Sequence, residues 1–212
     1  ECGVCGGDNS SCADCANVPN GDNLEDNCGV CDANPENDCA SYSIPLDGVD
    51  LISFYALPED NSVDNIFGSL VDQSPGILGE GTSANYINGM WLGTLMDVAR
   101  TDGYWVKIDA TASLDVTGIP TDPGTMYSLQ DGSNLISYPF AGSAAIEETI
   151  PEDAQGSIDA ILSEGTAAMN YDYDGVWIGG LMDLSGTEGY WFITNEAVSF
   201  SYNAPVEGAA RM

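Results

Sequence analysis

The sequence predicts a mainly β chain: two tandem small antiparallel β-barrel or sandwich domains, each with a short helix, preceded by an irregular, disulfide-stapled, calcium-binding-like stalk. Three observations predict it. The chain repeats itself: Tyr42-Ser43, Asp47-Gly48, Leu51-Ile52-Ser53, Glu80-Gly81-Thr82, Trp91, Leu95-Met96-Asp97 and Gly103-Tyr104-Trp105 return as Tyr127-Ser128, Asp131-Gly132, Leu135-Ile136-Ser137, Glu164-Gly165-Thr166, Trp177, Leu181-Met182-Asp183 and Gly189-Tyr190-Trp191, at an offset of 84 to 86 residues. Each copy is a series of short apolar runs broken by glycine, proline and aspartate. All seven cysteines fall within residues 1–39. The boundaries drawn are 1–40 for the stalk, 41–119 for the first copy and 120–212 for the second.

The stalk comes first. Cys2-Gly3-Val4-Cys5 recurs as Cys28-Gly29-Val30-Cys31, 26 residues on, and Cys15 has no counterpart. Paired CxxC knuckles can hold zinc as thiolates, Cys2 and Cys5 with Cys12 and Cys15. The opposing reading is disulfides, because a segment of Gly, Asn and Asp cannot build a core and such segments are stapled in oxidising compartments. Pairing of neighbours along the repeat joins Cys5 to Cys12, Cys15 to Cys28 and Cys31 to Cys39. Cys2 is then unpaired or bonded to a cysteine upstream, and the chain, which starts at Glu1, reads as a piece of a longer polypeptide. Asp32, Asn34, Glu36 and Asp38 offer oxygen at alternate positions, as calcium loops do. Asp8, Asn9, Asp14, Asp22 and Asp26 are candidates for another calcium site. Asn37 stands where an EF-hand loop has glycine, and a solvated, turn-rich linker is the competing reading.

The stretch from Cys2 to Cys12 resembles cysteine motifs of secreted animal metalloproteases that carry thrombospondin repeats. With Val18-Pro19-Asn20-Gly21-Asp22 and Glu25-Asp26-Asn27-Cys28, the wider pattern is similar to acidic, cysteine-bearing repeats of bacterial surface proteins, akin to thrombospondin type 3 repeats. The resemblance covers about 40 residues. It implies an extracellular or cell-surface setting and a calcium-binding stalk, and no enzymatic activity.

In each copy a strand (42–45, 127–129) and a second strand (51–55, 135–140) flank an Asp-Gly turn, which predicts a hairpin. Residues 61–70 predict the helix of the first copy, capped by Asn61 or Ser62, with Val63, Ile66, Phe67 and Leu70 on one face. In the second copy 144–150 and 156–163 are the helical candidates, separated by Pro151. Strands follow at 77–86, 90–95, 104–108 and 113–117, and at 167–173, 176–181, 190–194 and 198–202. Two prolines and a glycine make 119–126 a short, stiff joint. Asn134-Leu135-Ile136-Ser137, Leu57-Pro58-Glu59-Asp60-Asn61-Ser62, the lone tryptophans and the Gly-Tyr-Trp triplets resemble a β-domain repeated as an accessory module in secreted and surface proteins, over nearly all of 42–203. The first copy departs from that pattern at Asp50.

Composition narrows function. The net charge is −31, from 34 acidic residues against three basic ones. Nucleic acid, which needs clustered Lys and Arg, is a poor partner. No apolar run is long enough for membrane insertion as a helix. There is no histidine, so no Ser-His or Cys-His catalyst exists within the chain. Glu80 and Glu164 invite a glycosidase reading; an acid recurring beside glycine more often fixes a turn or caps a backbone group. Trp91 and Trp177 are weak candidates for stacking on a glycan, against the alternative that they fill the cores. The expectation is a non-enzymatic extracellular structural protein, self-associating into a fibre or filament. The second reading is a carbohydrate-binding or adhesive accessory module.

Overall fold

A computed structural model describes residues 13–26, 28–34, 38–171, 173 and 175–205. The chain is mainly β, with antiparallel pairing throughout the described strands. The stalk contributes one two-residue pair, β1 (Leu24–Glu25) with β2 (Cys31–Asp32).

The first copy runs β3 (Ala40–Leu46), β4 (Val49–Ile52), β5 (Ala56–Leu57), α1 (Val63–Phe67), a 3-10 turn (Gly68–Gln73), β6 (Gly76–Gly79), β7 (Thr82–Ile87), β8 (Met90–Gly93), β9 (Tyr104–Lys107) and β10 (Ala112–Pro120). Two sheets result, β3-β10-β5 and β4-β9-β6-β7-β8. Period-two alternation puts Ile44, Leu46, Leu114 and Val116 inside. They pack there with Phe54, Phe67, Ile77, Tyr104 and Val106. The Ser62 hydroxyl caps α1 by accepting from the Asn65 amide, as the sequence leads one to expect.

The second copy runs β11 (Tyr127–Leu129), β12 (Gly132–Ile136), β13 (Ser143–Ala145), α2 (Ile146–Thr149), α3 (Glu152–Gln155), β14 (Ile158–Ser163), β15 (Thr166–Asn170), β16 (Trp177–Gly179), β17 (Asp183–Ser185), β18 (Tyr190–Thr194) and β19 (Val198–Phe200). Its sheets are β12-β18-β14-β15-β16, β11-β19 and β13-β17. A separate core gathers Tyr127, Tyr138, Ile146, Ile158, Ile161, Leu184, Tyr190, Phe192 and Phe200.

Three expectations are corrected. The Asp-Gly turns do not close hairpins: β3 pairs with β10 and β4 with β9, so the turn at Gly48 (φ +87°) carries the chain from one sheet to the other. Residues 77–86 are two strands, because Glu80-Gly81 makes a turn between β6 and β7 with Gly81 at φ +70°. Residues 158–163 are strand β14 and not a helix. Its pairing with β18 shifts register between Ile158 and Ala160, so buried Ile158 and Ile161 lie three apart and imitate a helical face.

Candidate functional sites: the stalk, the indoles and the junction

The described cysteines form disulfides, Cys15 with Cys31 and Cys28 with Cys39, at Cα separations of 5.7 and 5.6 Å. The expected pairs Cys15–Cys28 and Cys31–Cys39 are therefore corrected: each bridge reaches past the nearest neighbour. Asp14 and Asp26 anchor two equivalent turns, twelve residues apart. Asp14 Oδ1 accepts from the amides of Ala16 and Val18, and Asp26 Oδ1 from those of Cys28 and Val30. The Asp14 amide donates to Val18 O and the Asp26 amide to Val30 O. Asn17 (φ 62°) and Gly29 (φ 77°) occupy the same left-handed position. The second oxygens differ: Asp14 Oδ2 accepts from the Asn23 amide and side chain, Asp26 Oδ2 from the Cys39 amide. The stalk thus presents two equivalent Asp-anchored turns twelve residues apart, within a sequence repeat of 26. The Val18 amide, with Asn23 and Ala16, holds the Asp14 carboxyl below its usual range.

Cys2, Cys5, Cys12, Asp8, Asn9 and Glu36 lie outside the described residues. Cys15 has no thiolate to give a four-thiolate zinc site, since Cys31 holds it. Among the described residues, Asp26, Cys28 and Cys39 place ligand atoms within 4.8 Å of one another. They do not fit an ion, because the two sulfurs are bonded together and the Asp26 oxygens face amides. Asp32 likewise receives the Asn34 amide at 2.8 Å. These are turn-holding contacts. Asp22 and Asp38 stand at the surface beside them.

Both candidate indoles pack on cores. Trp91 lies against the first core, edge-on to Tyr86 at 5.2 Å, and donates from Nε1 to Asp64 at 3.1 Å. Trp177 lies against the second core, and its Nε1 is buried with no hydrogen-bond partner among the described residues. Tyr104 and Tyr190, of the repeated triplets, are buried, and burial pushes their hydroxyls above the usual phenol range. Each accepts from a nearby amide, Ala99 for Tyr104 and Ser185 for Tyr190. They pin loops and stay neutral at physiological pH.

The recurring acids have a definite place. Glu80, in the turn of the first copy, accepts from the Leu135 amide of the second at 3.0 Å; Glu164 accepts from the Leu51 amide of the first at 3.3 Å. Each acid caps a backbone group, and the group belongs to the other copy. Around them the contact is reciprocal. The Gly103 amide donates to Leu135 O and the Gly189 amide to Leu51 O, both at about 3 Å. The Ser137 amide donates to Thr101 O and the Ser53 amide to Thr187 O. Short antiparallel bridges, Asp102 with Ile136 and Glu188 with Ile52, extend each large sheet by a segment of the opposite copy. The segments before the triplets, Thr101-Asp102-Gly103 and Thr187-Glu188-Gly189, thus pair with the edge strands β12 and β4.

Packing explains the glycines here. A Cβ on Gly103 would lie 2.9 Å from Leu135 Cδ1, and one on Gly189 2.8 Å from Ile52 O. Leu51 and Leu135 are 3% exposed and belong to neither core, so the opposite copy supplies their cover. Arg100 braces the joint, donating to Ile119 O at 2.6 Å and Leu57 O at 2.8 Å, while its own carbonyl accepts from the Ser137 hydroxyl. A cleft of about 450 Å³ opens at this junction, lined by Glu80, Asp102, Met126, Gln130 and Asn134. Two of its polar side chains are already engaged, Glu80 with Leu135 and Asn134 with the Gln130 backbone. Sequence reasoning noted Glu80 and Glu164 but not their partners; the shared Thr-Asp/Glu-Gly before each triplet was the available signal.

No family model, curated protein or solved structure matches this chain.

Proposed function

We propose that the chain is a non-enzymatic structural protein of an extracellular setting, a stapled stalk leading into a rigid two-module block that serves as a building unit of a surface or secreted fibre. The observation that supports it best is where the duplicated acids go. The carboxylates that would make the most economical catalytic pair instead hold the two copies together through backbone amides. Reciprocal contacts of this kind make an isologous interface, which closes on itself and fixes one orientation. The disulfides fit an oxidising compartment. Among the described residues no helix is long and apolar enough to cross a membrane. Calcium belongs to this reading as a proposal for the acidic stalk, with Asp22, Asp32, Asn34 and Asp38 the described candidates beyond the two turn anchors.

The test is to cut the joint. A protease site placed at exposed residues 122–124 of the full chain leaves both copies intact. After cleavage the halves are expected to elute together as one body. Adding Glu80→Ala and Glu164→Ala is expected to weaken that association by about 1–2 kcal/mol per contact, the scale of a partly buried hydrogen bond to a charged group. Halves that separate freely on dilution overturn the rigid block. Glycan turnover that disappears with either substitution overturns the non-enzymatic reading.

A further inference from the structure

We propose that the outer faces of the two large sheets, at their β8 and β16 margins, are docking surfaces and that the occupant is a second copy of this chain. The inference rests on the building-unit reading above and names the surface through which units join.

The two copies keep an apolar exterior at matching positions while changing its residues. Register puts Leu92 and Met90 beside Asn85 and Ile87 on one face of the first copy, with Leu78 and Trp105 further along. In the second copy Ile178 and Val176 lie with Met169 and Tyr171, followed by Leu162 and Trp191. Leu78, Ile87, Met90 and Leu92 are 48% to 60% exposed; Leu162, Met169, Tyr171, Val176 and Ile178 are 38% to 73% exposed. None is needed by a core, whose side chains leave the opposite face of the same strands. Exposed apolar residues scattered singly need no explanation, but an apolar row that recurs in both copies of a −31 chain does.

Three features point to a like partner. The outer face is already covered by this same module at one margin, where Leu51 and Leu135, cross-strand neighbours of Trp105 and Trp191, are buried by the opposite copy. The uncovered margin is continuous with that interface. Next, β8 and β16 each pair on one side only among the described strands, which leaves a row of backbone donors and acceptors. Met90-Trp91-Leu92-Gly93 and Trp177-Ile178-Gly179 contain no charge and no proline, the usual devices against edge pairing. Last, residues 73–96 hold one charged side chain, Glu80, which the junction engages. A second copy can therefore approach this face with little local repulsion, and the carboxylate beside β8, Asp64, is engaged by Trp91 Nε1. Residues 160–182 carry Asp172 and Asp174 besides the junction-engaged Glu164, so the first copy's face binds more tightly. Two such faces on one block string chains together without closing.

Sedimentation of the full chain over a concentration series, at about 0.15 M ionic strength where exposed charges beyond about 8 Å are screened, reads this directly. The wild-type mass is expected to climb past twice 22.2 kDa. Leu92→Asp is expected to stop it at twice that mass, through the remaining face, and Leu92→Asp with Ile178→Asp to hold it at 22.2 kDa. Unchanged near-ultraviolet circular dichroism confirms that each variant folds. A wild-type chain that stays at 22.2 kDa overturns the proposal, and so does assembly that survives both substitutions, including assembly through covalent links. A wild-type monomer that binds phosphatidylcholine vesicles through Leu92 gives the face to a lipid surface and also overturns it. The Leu92 and Ile178 variants leave the joint-cleavage result untouched, so failure here and failure of the rigid block are told apart.

Discussion

Tyr138 and Phe54 occupy equivalent places in the two copies, both fully buried and both packed in aromatic cores. The Tyr138 hydroxyl has no hydrogen-bond partner among the described residues, and burial pushes its pKa up to about 12. An unpaired buried hydroxyl costs about 1–3 kcal/mol, and the first copy avoids that with phenylalanine. Tyr138→Phe is accordingly expected to raise stability by about 1 kcal/mol in urea unfolding; a loss of that size would reveal a partner for the hydroxyl. Other single residues behave as pins. Tyr42 donates to Ala56 O at 2.6 Å, Tyr202 to Ser137 O at 3.2 Å and Asn170 to Gln155 O at 2.8 Å. The tyrosines among them were legible in the sequence as aromatic anchors, and Asn170 was not singled out. Which amide or carbonyl each would meet was not, because those partners are 14 to 65 positions away and local pattern carries no information about them.

At the level of elements, the strands that alternate cleanly were readable. β3 and β10 place every second side chain in the core, and the N-cap of α1 was visible in Ser62. The errors came where geometry breaks period. A bulge in β14 spaced two isoleucines like a helix, and a two-residue turn at Glu80-Gly81 divides a segment that reads as one strand. In the stalk, cysteine spacing alone points to the wrong partners, because each described bridge reaches past the nearest cysteine and local spacing carries no information about that. The crossing segments make the strongest element-level prediction. Gly103→Ala and Gly189→Ala force a methyl against Leu135 and Ile52 and are expected to cost about 1–3 kcal/mol each. Gly68→Ala, with φ −59° and open space around it, is the control and is expected to stabilise by about 0.4–1 kcal/mol. Equal effects at all three positions in thermal unfolding would remove the close approach from the account.

For the whole molecule, the duplication reads differently once its junction is seen. Each copy has its own core, but each also ends one sheet on a segment lent by the other, so the pair behaves as one body. The repeat itself was plain in the sequence; its reciprocity was not, since a sequence that says a thing twice does not say that the two statements face each other. Amide hydrogen exchange tests this most directly, read at Leu51, Ser53, Gly103, Leu135, Ser137 and Gly189, whose N–H groups all donate across the junction. The account predicts that the six are protected together, that cutting the joint leaves them protected, and that Glu80→Ala with Glu164→Ala releases Leu51 and Leu135 first. Exchange of all six at the rate of exposed loops in the intact chain would contradict it.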